Sequence, residues 1–205
     1  MSLVLRWIFV AGEIAVMIDI LSRVGPCDHI NFPVVHASPK MQYFQHKFEN
    51  VEDYLHHRRP YLLIDRLVSV DDQTVVTETD LTGDEFFIAG HFPGAPILPG
   101  AMMQEMSTQS AGILIAARYN PMEVYNTHDP FFNEYALGVL VKIKSSRFRG
   151  FARPGDKLEA TIKLDEKLDS VFDFSGKITA NGKTIMQNRF QLTNIPSKTL
   201  QGVAQ

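Results

Sequence analysis

His91 and Glu105 are the two residues whose types and settings point to chemistry. His91 lies in GHFPGAPILPG, residues 90–100, where three prolines and three glycines force tight turns and exclude a regular helix or an interior strand. Imidazole, with an ordinary pKa of about 6.5, takes and returns a proton near neutrality. Glu105 lies in AMMQEMSTQSAGILIAAR, residues 101–118, which is apolar or small on nearly every face and therefore predicts a buried helix. A carboxyl group taken out of water costs several kcal/mol unless it is paired, hydrogen-bonded or neutral, and burial favours the neutral, proton-donating form. Such a base and acid suit the movement of two protons at neighbouring atoms. Gly100, at the start of the helix, offers an unencumbered backbone amide where free N–H groups and the helix dipole favour negative charge. Gln109, one turn beyond Glu105, is spaced to hydrogen-bond it. Alone, a histidine among prolines is a satisfied loop residue and a glutamate in a second turn answers the dipole. Together on a buried helix they point to a site.

The elements that position this pair are legible in outline. At 205 residues and 45% hydrophobic content the chain suits one domain, taken as 41–196, with an extension at 1–40 and a frayed tail at 197–205. Residues 1–24 are strongly apolar, but Glu13 and Asp19 interrupt them, so neither a bilayer span nor a secretory signal fits well. An additional helix, or a true start at Met41, is the plainer reading, and residues 25–40 read as a linker. A net charge of −3 gives no global field for nucleic acid or an anionic membrane. One cysteine, Cys27, allows no internal disulfide, and the seven histidines show no metal-binding spacing.

Asn50 is placed to cap a helix over 51–57, and strands are expected at 61–70 and 74–81. Arg59 and Asp65 read as structural ion-pair members, Phe86 and Phe87 as core or tunnel lining. Residues 119–134 form a long polar and aromatic loop, either a lid or a plain insertion, with His128 solvated. Four strands follow at 136–150, 157–168, 171–180 and 183–193, punctuated by PGD at Pro154 and NG at Asn181. Six strands against one long helix make an α+β chain, an antiparallel sheet with helix on one face. Lys142, Lys144, Arg147, Arg149 and Arg153 cluster cations along one strand and its exit.

The run GHFPGAPILPG followed by Glu105 and Gln109 resembles the active-site segment of the 3-hydroxyacyl-(acyl carrier protein) dehydratases, a hotdog-fold family. Weaker likeness extends from Arg59 to Asn194 and includes RRPYLLIDRL and SRFRGFARPGD. The resemblance implies a sheet of about six strands wrapped around one long buried helix. It also implies dehydration of a 3-hydroxyacyl thioester to a trans-2-enoyl thioester in fatty acid or related acyl-chain synthesis. His91 would be the base, Glu105 would hold a water or protonate the departing hydroxyl, and the Gly100 amide would polarise the carbonyl. Met102, Met103, Met106 and Ile113 are then candidate tunnel walls, although a methionine-rich helix alone is more often core. Further implications are a homodimer joining the histidine of one subunit to the acid of its neighbour, and acyl carrier protein as partner, docked on the cationic strand. A cytoplasmic setting is implied too, with no cofactor beyond the carrier's phosphopantetheine. Glutamate at position 105 argues for dehydration without double-bond isomerisation. A hotdog acyl thioesterase and an inactive acyl-binding partner subunit are the competing readings.

Overall fold

Residues from Gly100 to Arg118 form a 19-residue helix, α2, in the computed structural model, which describes residues 8–10, 13–15, 41–129 and 132–200. Pro99 precedes it in extended conformation with φ −61° and ψ 139°, and no proline interrupts it. From Met103 to Ala117 every side chain except that of Glu105 is buried. Each fully buried Ile or Leu there contributes about 1.5–3 kcal/mol relative to exposure. Three hydroxyls survive inside because they turn back on the helix: Ser107, Thr108 and Ser110 donate to the carbonyls of Met103, Gln104 and Met106 at 3.2, 3.1 and 2.8 Å.

Six strands wrap this helix. They are β3 (Arg66–Val70), β4 (Thr74–Asp80), β5 (Tyr135–Phe148), β6 (Lys157–Leu168), β7 (Val171–Ala180) and β8 (Lys183–Pro196). Their order is β3-β4-β6-β7-β8-β5, and every neighbouring pair is antiparallel. Alternate residues of β4, β6 and β7 are buried, as the two-residue period of a strand requires. Phe172, Phe174 and Phe190 fill the core with rings 6.4 and 5.6 Å apart. This is the expected hotdog arrangement. The NG signal turns β7 into β8, with Asn181 at φ 48° and Gly182 at φ 80°. Gly138 of β5, at φ 71°, lies so close to α2 that a Cβ there would sit 3.2 Å from the Gly112 Cα. Helix and edge strand therefore meet backbone to backbone at two glycines. Among the described residues no helix is long and apolar enough to cross a membrane.

Several local expectations are corrected. A 3-10 turn, Val51–Asp53, replaces the helix at 51–57, and the Asn50 side chain does not cap it. The carbonyls that would continue the helix are taken instead: Arg58 donates to Leu55 O at 2.7 Å and His57 O at 2.8 Å, and Tyr125 Oη to Tyr54 O at 2.8 Å. The strand expected from Tyr61 begins at Arg66. Leu62, Leu63 and Ile64 are buried, but Leu63 bonds side chains of α2 and β4, its N–H to Gln109 and its carbonyl to Thr79. Phe86–Ala89 is a short helix, α1, and Ser197–Leu200 another, α3, where a frayed tail was expected; residues 201–205 lie outside the described residues.

The chain divides into two compact units, Met1–Pro39 and Lys40–Gln205, and the elements above belong to the second. In the first, β1 (Ile8–Val10) and β2 (Glu13–Ala15) pair antiparallel, so a strand pair stands where an additional helix was expected. The linker reading of 25–40 lies outside the described residues.

Candidate active site

Helix α2 presents one stripe, Glu105, Thr108, Gln109 and Gly112, to a cavity of about 480 Å³. The rest of the lining includes Leu55, His57, Tyr61, Tyr125 and residues 135–140 of β5. Glu105 is half-buried on this wall, where the sequence suggested full burial. Gln109, 1% exposed, explains how a polar group is held there. Its Oε1 accepts from Leu63 N–H at 2.8 Å, which fixes the amide so that Nε2 donates to Tyr61 O and to Glu105 Oε1, both at 2.9 Å.

Two side chains that sequence reasoning passed over complete this wall. Burial raises the Tyr61 phenol, and the charge of Glu105 raises it further. Its ring stacks on His57 with centroids 5.6 Å apart. Burial pushes the His57 imidazole down; the Glu105 carboxylate opposes this and the Arg58 charge adds to it, so His57 is neutral at pH 7. His57 Nδ1 is buried without a partner, which suits an unprotonated nitrogen better than an orphaned N–H. The available signal was Tyr61 itself, a phenol heading the apolar run Leu62 to Ile64 beside two histidines.

His91 follows α1, its N–H donating to Ile88 O at 3.2 Å. Its Nδ1 lies 3.2 Å from the Ile97 carbonyl and its ring 4.2 Å from that of Phe92. A carbonyl only accepts, so the neutral ring carries hydrogen on Nδ1 and leaves the Nε2 lone pair free. His91 lines neither the Glu105 cavity nor a second one of about 610 Å³, so Glu105 and Gln109 are brought together and His91 is not joined to them within either. Gly100 begins α2 against Phe148, whose ring atom Cε1 would lie 2.9 Å from a Cβ at that position. Among the described candidate wall residues, Met106 lines the second of these cavities, with Phe86, Phe87 and Leu98, and Met102, Met103 and Ile113 line neither. Phe86 is nonetheless 56% exposed. Met103 and Ile113 are core, and Met102 packs partly buried against it.

The described residues of the 119–134 loop, 119–129 and 132–134, are anchored. Arg58 donates to Thr127 O at 2.7 Å, Thr127 Oγ1 to Glu52 O, and His128 Nε2 bonds Asp53 at 2.7 Å. Asn133 Nδ2 lies 2.6 Å from His56 Nε2. Arg59 pairs with Asp65 and Lys144 with Asp173, while Lys142, Arg147, Arg149 and Arg153 are exposed.

Residues 55–189 match the FabA-like domain. The chain belongs to the FabA-like family. The 3-hydroxyacyl-(acyl-carrier-protein) dehydratase FabZ of Rickettsia massiliae is 29% identical to this FabA-like chain over 141 residues, 68% of this chain and 90% of that one. The enzyme of the same name from Coxiella burnetii (strain RSA 331 / Henzerling II) is 32% identical over 133 residues, 64% of this chain and 87% of that one. Among solved structures, the dehydratase heterocomplex ApeI:P from Xenorhabdus doucetiae superposes with a TM-score of 0.60 at 20% identity, covering 76% of this FabA-like chain and 97% of that one.

Proposed function

We propose that this chain is a hydro-lyase that dehydrates 3-hydroxyacyl groups on acyl carrier protein to trans-2-enoyl groups, in fatty acid or related acyl-chain synthesis. One observation carries the reading: inside the matched stretch, a carboxyl group is fixed by Gln109 on a largely apolar cavity wall. His91 Nε2 takes a proton from the carbon beside the thioester carbonyl. Glu105 gives its proton to the neighbouring hydroxyl, which leaves as water, and the double bond forms between the two carbons. Charge gathered on the thioester oxygen meets the Gly100 amide at the N-terminus of α2. The acyl chain lies along the apolar part of the cavity, between Leu55 and Leu137.

The site is assembled in a homodimer, His91 of one subunit facing Glu105 of the other. Supporting this, β5 is a 14-residue edge strand that exposes Val141, Ile143 and Phe148. The exposed cations of β5 and its exit suit docking of an acidic carrier protein, which brings the substrate on its phosphopantetheine arm. A cytoplasmic setting belongs to the same reading.

The test is purified protein with 3-hydroxyacyl and enoyl thioesters, comparing wild type with His91→Ala and Glu105→Gln. Interconversion of the two thioesters by wild type and its loss in both variants is the expected result. Release of free thiol, or full activity in either variant, would overturn it.

A further inference from the structure

Leu200 is 60% exposed, and an exposed leucine alone needs no explanation. This one also lines the Glu105 cavity, from α3, the segment expected as a frayed tail. Its place in the cavity follows from the register of helix against strand. The start of α2 lies on the end of β5, where a Cβ at Gly100 would meet the Phe148 ring. One turn on, Gln104 Oε1 accepts from Ser146 Oγ at 2.9 Å, and further along Gly112 meets Gly138. Helix and strand are therefore antiparallel, and moving away from Glu105 toward Gly112 leads to the first residue of β5. There Tyr135 pairs with Pro196, and α3 follows at once, held by the Ser197 N–H on Glu134 O at 2.7 Å. Glu105 and Gly112 are two helical turns apart, about 10 Å along the axis. Leu200, on α3, stands at the end of the cavity remote from the carboxyl group.

We infer that Leu200 is a chain-length determinant, the apolar far lip of the cavity, which covers the tail of an acyl chain whose reacting carbons lie at Glu105. Leu137, Val139 and Leu140 line the same cavity from β5, so a chain that passes Gly112 meets apolar side chains of strand and helix together. Each methylene laid there leaves water, and so does the part of Leu200 that it covers. A short acyl group ends before Gly112 and gains nothing from the lip. A second copy of this chain packed on α3 would bury the same leucine without regard to acyl length.

This rests on the dehydratase reading, and the test separates the two. Wild type, Leu200→Ser and Leu200→Met are compared on 3-hydroxybutanoyl and 3-hydroxydecanoyl pantetheine thioesters, with calorimetric binding of the unreactive decanoyl thioester alongside. The decanoyl chain reaches past Gly112 from the reacting carbons and the butanoyl chain does not. In Leu200→Ser the ratio of kcat/KM for the long over the short substrate should fall roughly five- to tenfold, through KM, with an equal loss of decanoyl affinity. Leu200→Met, apolar and of similar volume, should restore both. A ratio within about twofold of wild type, a loss carried by kcat, or a shift toward monomers in sedimentation would overturn the inference while leaving an active wild type as a dehydratase. Inactive wild type whose Leu200→Ser variant still loses decanoyl affinity would overturn the dehydratase reading alone, and inactive wild type without that loss would overturn both.

Discussion

Gln109→Leu should unfasten the candidate site and the segment behind it together. Leucine fills much of the same volume but bonds neither Leu63 N–H nor Tyr61 O, the two main-chain groups that Gln109 now satisfies. Leu63 is 4% exposed, so its N–H gains no water, whereas Tyr61 is 47% exposed and its part-buried carbonyl recovers some of its loss. At about 1–3 kcal/mol for a buried unsatisfied group, the substitution should cost roughly 2–4 kcal/mol. That is a large share of the 5–15 kcal/mol typical of a domain. Urea unfolding should show a lower midpoint with an unchanged slope. Glu105 also loses a fixed donor, worth about 1 kcal/mol and about fivefold in kcat under conditions where the variant is folded. Gln109→Glu is the sharper variant, because it sets a second carboxylate against Glu105 and should lower activity further. If Gln109→Leu unfolds within about 0.5 kcal/mol of wild type, the amide does not hold residues 61–63 and the account of this wall is wrong.

Gly138→Ala should destabilise by about 1–3 kcal/mol, from a positive φ and a methyl 3.2 Å from the Gly112 Cα, and a thermal melt would show it. Ile143→Lys, on the exposed edge of β5, should turn a dimer into monomers in sedimentation and remove activity with it; an active monomer would refute a shared site. Acid should destabilise the fold in two stages. His56 and His57 are held below the usual histidine value, chiefly by burial, so below about pH 6.5 the unfolded chain binds more protons and stability falls. At lower pH the same sign holds for Asp71, kept below the usual carboxylate range by the Gln73 and Thr74 amides. A melting midpoint flat between about pH 7.5 and 5.5, or an unaltered slope in His57→Phe, would contradict this.

The helix, the strands after it and their turns were legible because each follows from a local rule. An apolar run without proline gives α2, a two-residue alternation gives β6 and β7, and Asn181 with Gly182 gives the turn. The segment from Tyr61 was not legible as built. Its apolar pattern is that of a strand, but its main chain is spent on Gln109 and Thr79, partners 46 and 16 residues away. Likewise Asn50 and the acids after it form a sound start for a helix, and nothing local reveals that Arg58 and Tyr125 will take its carbonyls. Glu105 with Gln109 follows from helical spacing, while Tyr61 and His57 beside them depend on how a distant loop folds back.

The position of Glu105 follows from a conflict within α2. The helix must be buried to hold the sheet, yet a carboxyl group cannot be packed among Ile113 and Leu114 without several kcal/mol of desolvation. The fold resolves this along one stripe. Where α2 meets β5 at Gly112 and Gly138, the backbones touch; the strand's register then shifts between Ala136 and Val139, and again between Leu140 and Lys142. Such bulges bend a strand, and this irregular stretch lines the same cavity as Glu105. Alongside α2 runs the segment 61–63, left out of the sheet, whose main-chain groups are the ones Gln109 needs. The irregularities of β5 and of the segment before β3 therefore serve a single end, a polar pair held at the surface of an otherwise apolar helix.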